Sequence, residues 1–399
     1  MKLSMDRVRD MGRASLTRRN VAIALTAALL GGCQLIPKSE PVARAPEPTP
    51  TPAPTPTALP TDATRHRIAL LVPMSGNTAE VGQALANATT MALLDTNAEN
   101  LRITTYDTAR GAAAAARQAV VDGNRLILGP LLAENIPAVQ AAARPADVPA
   151  IAFSNDATAA SADVFVMGYI PEQSIRRTIR YARQNGSNSF GALLPEGDYG
   201  QRSYNALQNA LGDYGGSLAG FERYARGNTS IVGAAQRLRQ RGGYDTVLIA
   251  DGARLAVQAA GELRGDNTGG GTRILGTELW SGEAALTRAD VVEGALFSAV
   301  SDARFRRFAE SYEARFGEKP YRIATLGYDA VLLALRVARD WEVGADFPVR
   351  QLFDDGGFLG VDGPFRFNRG GIAERAYEVR EVRNGEIVAV DPAPSNFDD

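Results

Sequence analysis

The chain has 399 residues, 45% of them hydrophobic, which is enough for a large buried core and for two to three domains of ordinary size. Its 43 basic and 45 acidic side chains give a formal charge of −2, and residues 1–33 hold six of the basic and two of the acidic ones, so the remainder carries −6 and a nucleic-acid-binding body is excluded. One cysteine, Cys33, and one histidine, His66, rule out an intramolecular disulfide and leave no Cys/His cluster for a metal.

The same scarcity argues against catalysis. A Ser-His-Asp or Cys-His nucleophile would have to use His66, and no G-x-S-x-G elbow occurs. Lysine is confined to Lys2, Lys38 and Lys319, so there is no phosphate loop ending in GKS or GKT. Only Lys319 is left for a Schiff base in the folded body. Neighbouring acids such as Asp354 and Asp355, or Glu196 and Asp198, could do acid/base work but read more simply as turn and helix-cap residues. The expectation is a protein that is not an enzyme, with no cofactor and no metal.

At the start of the chain, Arg13, Arg18 and Arg19 precede an apolar stretch over 21–30, too short to span a bilayer and right for the core of a signal peptide over 1–32. The residues LGGC that end at Cys33 resemble a bacterial lipobox, in which small residues admit the signal peptidase and the cysteine takes a diacylglyceryl group. Such acyl chains hold a protein to a membrane durably. Over 37–64, Pro46, Pro48, Pro50, Pro52, Pro54 and Pro56 alternate with small or polar residues, which favours polyproline II. Residues 33–65 are therefore expected to be a lipidated cysteine and a semi-rigid linker, whose proline-rich part reaches up to about 85 Å at roughly 3.1 Å per residue.

From residue 66 onward, short apolar runs alternate with helical patterns. IALLVP (68–73), RITTYD (102–107), RLILGP (125–130) and VPAIAF (148–153) read as strands, and Val81, Leu85, Ala88 and Ala92 keep one helical face between the first two. A second series follows, with strands FGALLP (190–195), SLAGFERY (217–224), YDTVLIAD (244–251) and RILGTELW (273–280) and helices between them. The expected fold is α/β, two doubly wound parallel-sheet lobes. Several strands run into Pro, Gly or Asp at their C-terminal ends, where such sheets bind ligands, so the candidate site is the cleft between the lobes.

The stretches VPMSGNTAEVGQALANA, LILGPLLAENIPAVQAAARPADVPAIAFSND, LPEGDYGQ, YDTVLIADGARLAVQAAGELR and RFAESYEARFGEKPYRIATLGYDAVLLA resemble, in this order, the type I periplasmic binding proteins. That resemblance implies three crossovers between lobes, placed near 168–170, 298–301 and 344–347. The first lobe is then 66–169 plus 300–344 and includes a long helix over 323–341; the second is 170–299 plus 345–392, and 393–399 is a tail. Turn by turn it also implies Ser75, Leu131, Ser154, Asn155, Tyr199, Asp251, Glu278 and Trp280 as cleft residues for a small polar ligand. Leu131 stands where relatives usually have a small hydroxyl residue, and it offers only main-chain hydrogen bonds.

Cys33, the proline spacer, the PMSG opening, Leu131 and the GVDGPFRF segment (360–367) more closely resemble the penicillin-binding protein activators, envelope lipoproteins of this fold. That resemblance implies a lipoprotein at the periplasmic face of the outer membrane, with which Gln34 after the cysteine agrees, and a bifunctional penicillin-binding protein, a peptidoglycan synthase, as its partner. The alternative is a lipid-anchored substrate-binding protein of an amino-acid or amide ABC importer.

Overall fold

The computed structural model describes residues 64–227, 229–265, 271–395 and 397. The expected signal peptide, Cys33 and the expected linker as far as residue 63 lie outside them. The described residues belong to a single compact unit, Ala58–Asp399.

The first βα series is β1 (His66–Val72), α1 (Ala79–Asp95), β2 (Leu101–Asp107), α2 (Ala112–Val121), β3 (Leu126–Leu128), α3 (Ile136–Ala143), β4 (Ala150–Ala152) and β5 (Val164–Val166). Its strands form a five-stranded parallel sheet in the order β2-β1-β3-β4-β5. The near-continuous apolar runs of β1 and β3 follow from this, because a parallel sheet is covered on both faces. Alternate residues of β1 serve the two sides. Ile68, Leu70 and Val72 pack with Leu85 of α1, whereas Ala69 and Leu71 pack with Ala116 of α2 and Val139 of α3.

The second series is α4 (Pro171–Gln184), β6 (Ser189–Pro195), α5 (Asp198–Tyr214), β7 (Ser217–Tyr224), α6 (Ser230–Arg241), β8 (Thr246–Ile249), α7 (Ala253–Arg264), β9 (Arg273–Leu275) and β10 (Leu296–Val300). Then come α8 (Phe305–Phe316), α9 (Ala324–Val337), β11 (Phe358–Gly360), β12 (Gly363–Phe367), β13 (Ala373–Arg375), β14 (Tyr377–Arg383) and β15 (Glu386–Asp391). The seven-stranded sheet runs β15-β14-β10-β9-β8-β6-β7, parallel except at one edge, where β14 pairs antiparallel with both β10 and β15. Leu248 of β8 packs with Ile179 of α4 and Leu207 of α5, and its neighbours Val247 and Ile249 pack with Leu238 of α6 and Leu263 of α7. This is the expected α/β fold of two parallel sheets covered by helices.

Three local expectations change. The strand over 273–280 stops at Leu275, because the Trp280 ring lies against Gly276; a Cβ there would sit 2.2 Å from it, and the chain turns back in a short 3-10 helix, Glu278–Trp280. The helix over 323–341 ends at Val337, and Trp341 instead stacks on His66 at 4.1 Å. His66 is thus a buried packing residue, and burial holds its imidazole below the usual range. The third change concerns 345–392. Phe358, Phe365, Phe367 and Ala373, in the small antiparallel sheet β11-β12-β13, join the core of the first lobe, and Ile372 bridges to Val166 beside β5. Only β14 and β15 join the second sheet, so the chain crosses for the third time at Ala376 and not over 344–347.

Candidate functional site

On the first lobe, the turn after β1 is tied to the end of β2: Met74 N and Ser75 Oγ donate to the Asp107 carboxylate at 2.8 and 2.9 Å. Burial pushes Asp107 up, but the donors from Met74, Ala109 and Ser75, with Arg110 nearby, outweigh it and hold the carboxyl below its usual range. After β3, Gly129 has φ 107°, and a Cβ on it would lie 2.2 Å from Leu71 O. Leu131 follows and is nine-tenths buried in the core. After β4, Ser154 Oγ accepts from Asp156 N at 3.0 Å, and Asp156 caps the next turn by accepting from Thr158 N at 3.0 Å.

On the second lobe, α5 begins right after β6 and carries Tyr199 and Arg202 three residues apart, hence on one side of the helix. Tyr199 donates to Glu278 Oε1 at 3.0 Å and shares a hydrogen bond with Thr277 Oγ1 at 2.9 Å. The Arg226 guanidinium lies 5.0 Å over the Tyr199 ring and pairs with Asp251 at 3.0 Å. Asp251 also accepts from Tyr224 Oη and Gly252 N, and its carbonyl accepts from the fully buried Trp280 Nε1 at 2.9 Å.

Glu278 is the uncommon member of this group. It is 8% exposed, and its Oε2 is buried without a hydrogen-bond partner. Burial, reinforced by the Glu172 charge and opposed by Tyr199 and Arg202, pushes its carboxyl up to about 7. Burial and the adjacent Glu278 carboxyl in turn hold the Tyr199 phenol well above its usual range.

Arg202 makes a contact between the lobes here. Arg202 donates through Nε and Nη2 to the two oxygens of Glu172, both at 2.7 Å, and through Nη2 to the Asn155 carbonyl at 2.6 Å; Asp156 lies 3.7 Å from Nη1. At the crossovers a second network forms around buried Asp362, which accepts from Arg322 and Tyr169 at 2.6 Å and from Thr325 at 2.8 Å, with Arg375 4.0 Å away. Beside it, burial and the Asp362 charge push the buried Asp329 carboxyl up to about 7.

The geometry therefore joins Tyr199, Glu278, Asp251 and Trp280 into one connected group, while Asn155 is held by Arg202, one turn along α5 from Tyr199, whose charge Glu278 senses. Ser154 lies beside that contact, whereas Ser75 and Leu131 are held within the first lobe. A cavity of about 750 Å³ between α4 and the C-terminal strands includes Glu172, Arg180 and Tyr214 in its lining and none of the eight candidates. Arg202, Glu172, Thr277 and Arg226 were not among the expected residues; the spacing of Arg202 from Tyr199 on one helix is the signal that finds it. Among the described residues no group of three or more His, Cys, Asp or Glu could hold a metal, and no helix is long and apolar enough to cross a membrane.

Solved structures share the architecture. A leucine binding protein LivK of Thermotoga maritima superposes with a TM-score of 0.62 at 19% identity, covering 81% of this chain and 97% of that one. A putative branched-chain amino acid ABC transporter protein of Rhodospirillum rubrum gives 0.70 at 19% identity, covering 82% and 100%. LivJ of Streptococcus pneumoniae, a substrate binding protein solved with isoleucine, gives 0.64 at 20% identity, covering 83% and 100%. An uncharacterised protein of Rickettsia prowazekii (strain Madrid E) is 30% identical over 173 residues, 43% of this chain and 46% of that protein, so the match spans about half of the relative's length. The model of the periplasmic binding protein family matches residues 66–386, and the chain belongs to that family.

Proposed function

We propose that this chain is a lipid-anchored binding protein of the cell envelope, which takes a small polar ligand between its lobes as the substrate-binding component of an amino-acid or amide ABC importer. The observation that carries this reading is Glu278: a buried carboxyl oxygen without a partner, next to Tyr199 and Thr277, at the C-terminal ends of parallel strands. Such a group can accept from a ligand's cationic or amide end, and leaving it unmatched is costly. The similar solved structures, a leucine binding protein and LivJ with isoleucine among them, point to the same ligand class. The anchor rests on the lipobox-like residues that end at Cys33.

A second reading, an outer-membrane lipoprotein that binds and stimulates a bifunctional penicillin-binding protein, is favoured by the filling of the cleft's acidic groups by Arg202 and by the lack of a hydroxyl at Leu131. Titration calorimetry of the full-length chain against amino acids and their amides, beside a glycan-polymerisation assay with such a synthase, separates the two. Saturable heat with one solute, abolished by Glu278→Gln, is the expected result. An unresponsive cleft together with a stimulated synthase overturns the importer reading.

A further inference from the structure

Ligands ordinarily supply the contacts that draw two lobes together, yet here a side chain of the protein bridges them. Arg202 stands on α5 of the second lobe, 13% exposed, and Glu172 at the start of α4 in the same lobe fixes its guanidinium in a two-pronged pair. From that position the guanidinium reaches across to the first lobe, to the carbonyl of Asn155 and toward the carboxylate of Asp156. We infer that Arg202 is a built-in cationic latch, which occupies the interlobe contact that a ligand's cation would make and holds the lobes closed without a ligand.

The charge arrangement supports this. Without Arg202, Glu172 on one lobe and Asp156 on the other are like charges facing each other, Glu278 lies within reach of the Glu172 field, and the Asn155 carbonyl loses its donor. The guanidinium keeps its proton more firmly than usual in spite of burial, because Glu172 and Asp156 favour the charged form. A bidentate guanidinium–carboxylate pair is directional, so the fork aimed by Glu172 points the remaining N–H at Asn155. A solute bearing a cation then has to displace Arg202 before it can use these acids, which makes Arg202 a determinant of what the cleft admits.

The inference rests on the two-lobed binding reading only for the location of the cleft, and its test needs no ligand. In the full-length chain with Cys33→Ser, dyes at Val121→Cys on the first lobe and Gln258→Cys on the second report separation by energy transfer. Adding Arg202→Ala is expected to lower the transfer efficiency, and low-millimolar guanidinium chloride, but not sodium chloride, is expected to restore it while leaving the parent unchanged. Unchanged efficiency in Arg202→Ala, or a fall that guanidinium does not reverse, overturns the latch. If that variant does not fold, Arg202→Lys keeps the charge and loses the fork. It is expected to fall by less, and an efficiency equal to the parent's overturns the proposal. None of these outcomes bears on whether a solute binds, which the calorimetry decides separately.

Discussion

Glu278 carries its carboxyl into a place where water cannot solvate it, and the consequence is a defined pH dependence. Its folded value is raised from 4.5 to about 7, so the stability it contributes is complete below the unfolded value and is lost as pH rises through about 7. At 1.36 kcal/mol per unit, the loss is on the order of 3 kcal/mol once both states are ionised. Glu278→Gln keeps the shape and the hydrogen bond from Tyr199 but cannot ionise. Urea unfolding between about pH 5 and about pH 8 is therefore expected to show a smaller decline for the variant than for the parent. Parallel curves would mean that Glu278 stays solvated and would remove the main support for it as the ligand's acceptor.

At the scale of elements, helix packing depends on a few glycines. Gly327 lies in α9 where it presses on α1: a Cβ there would sit 2.6 Å from Leu85 O and 3.0 Å from Thr89 Oγ1. Gly261 lies in α7 with nothing within 4 Å of the same position. Gly327→Ala is expected to cost about 1–3 kcal/mol through overpacking, whereas Gly261→Ala is expected to gain about 0.5–1 kcal/mol from helix propensity. Denaturant midpoints of the two variants check both signs, and equal effects would show that α1 and α9 are free to separate.

Much of this architecture is legible in the chain, because buried parallel strands such as IALLVP and TVLIAD read as apolar runs bounded by turns. The antiparallel strands β11 to β13 are not legible in the same way. Phe365 and Phe367 alternate with polar residues and so declare one apolar face, but alternation does not say which core that face joins. At the site, Tyr199 is visible because it follows a strand-ending turn. Arg202 is marked only by its spacing from Tyr199, and Glu172 by nothing, because a charged residue on a helix ordinarily reads as a solvated face, and the meeting of Arg202 with Asn155 is set by how the two lobes sit together.

For the whole molecule, the network around Asp362 matters most, since it gathers residues from all three crossovers. Tyr169 comes from the first, and Arg375 stands at the third. Arg322 reaches the second by donating to the Ser301 carbonyl and lying 3.6 Å from Asp302. Asp362 and Arg375 are almost fully buried, so removing the shared carboxylate takes from Arg322 and Arg375 their nearest buried counter-charge. Asp362→Asn is expected to cost about 3–5 kcal/mol at neutral pH, as breaking a buried pair does. A loss below about 1 kcal/mol would place the network with exposed ion pairs. The neighbouring Asp329 refines the expectation. Burial and the Asp362 charge hold its carboxyl up to about 7, so it is largely protonated below that pH and ionised above it. Above about pH 7 the ionised Asp329 repels Asp362 in the parent and has no such neighbour in the variant, whereas it attracts Arg375 in both, so the lost repulsion favours the variant. The stability gap between parent and Asp362→Asn is therefore expected to narrow as pH rises through about 7, and to stay constant when Asp329→Asn is added to both; a gap that widens with pH would show that the two carboxyls do not sense each other.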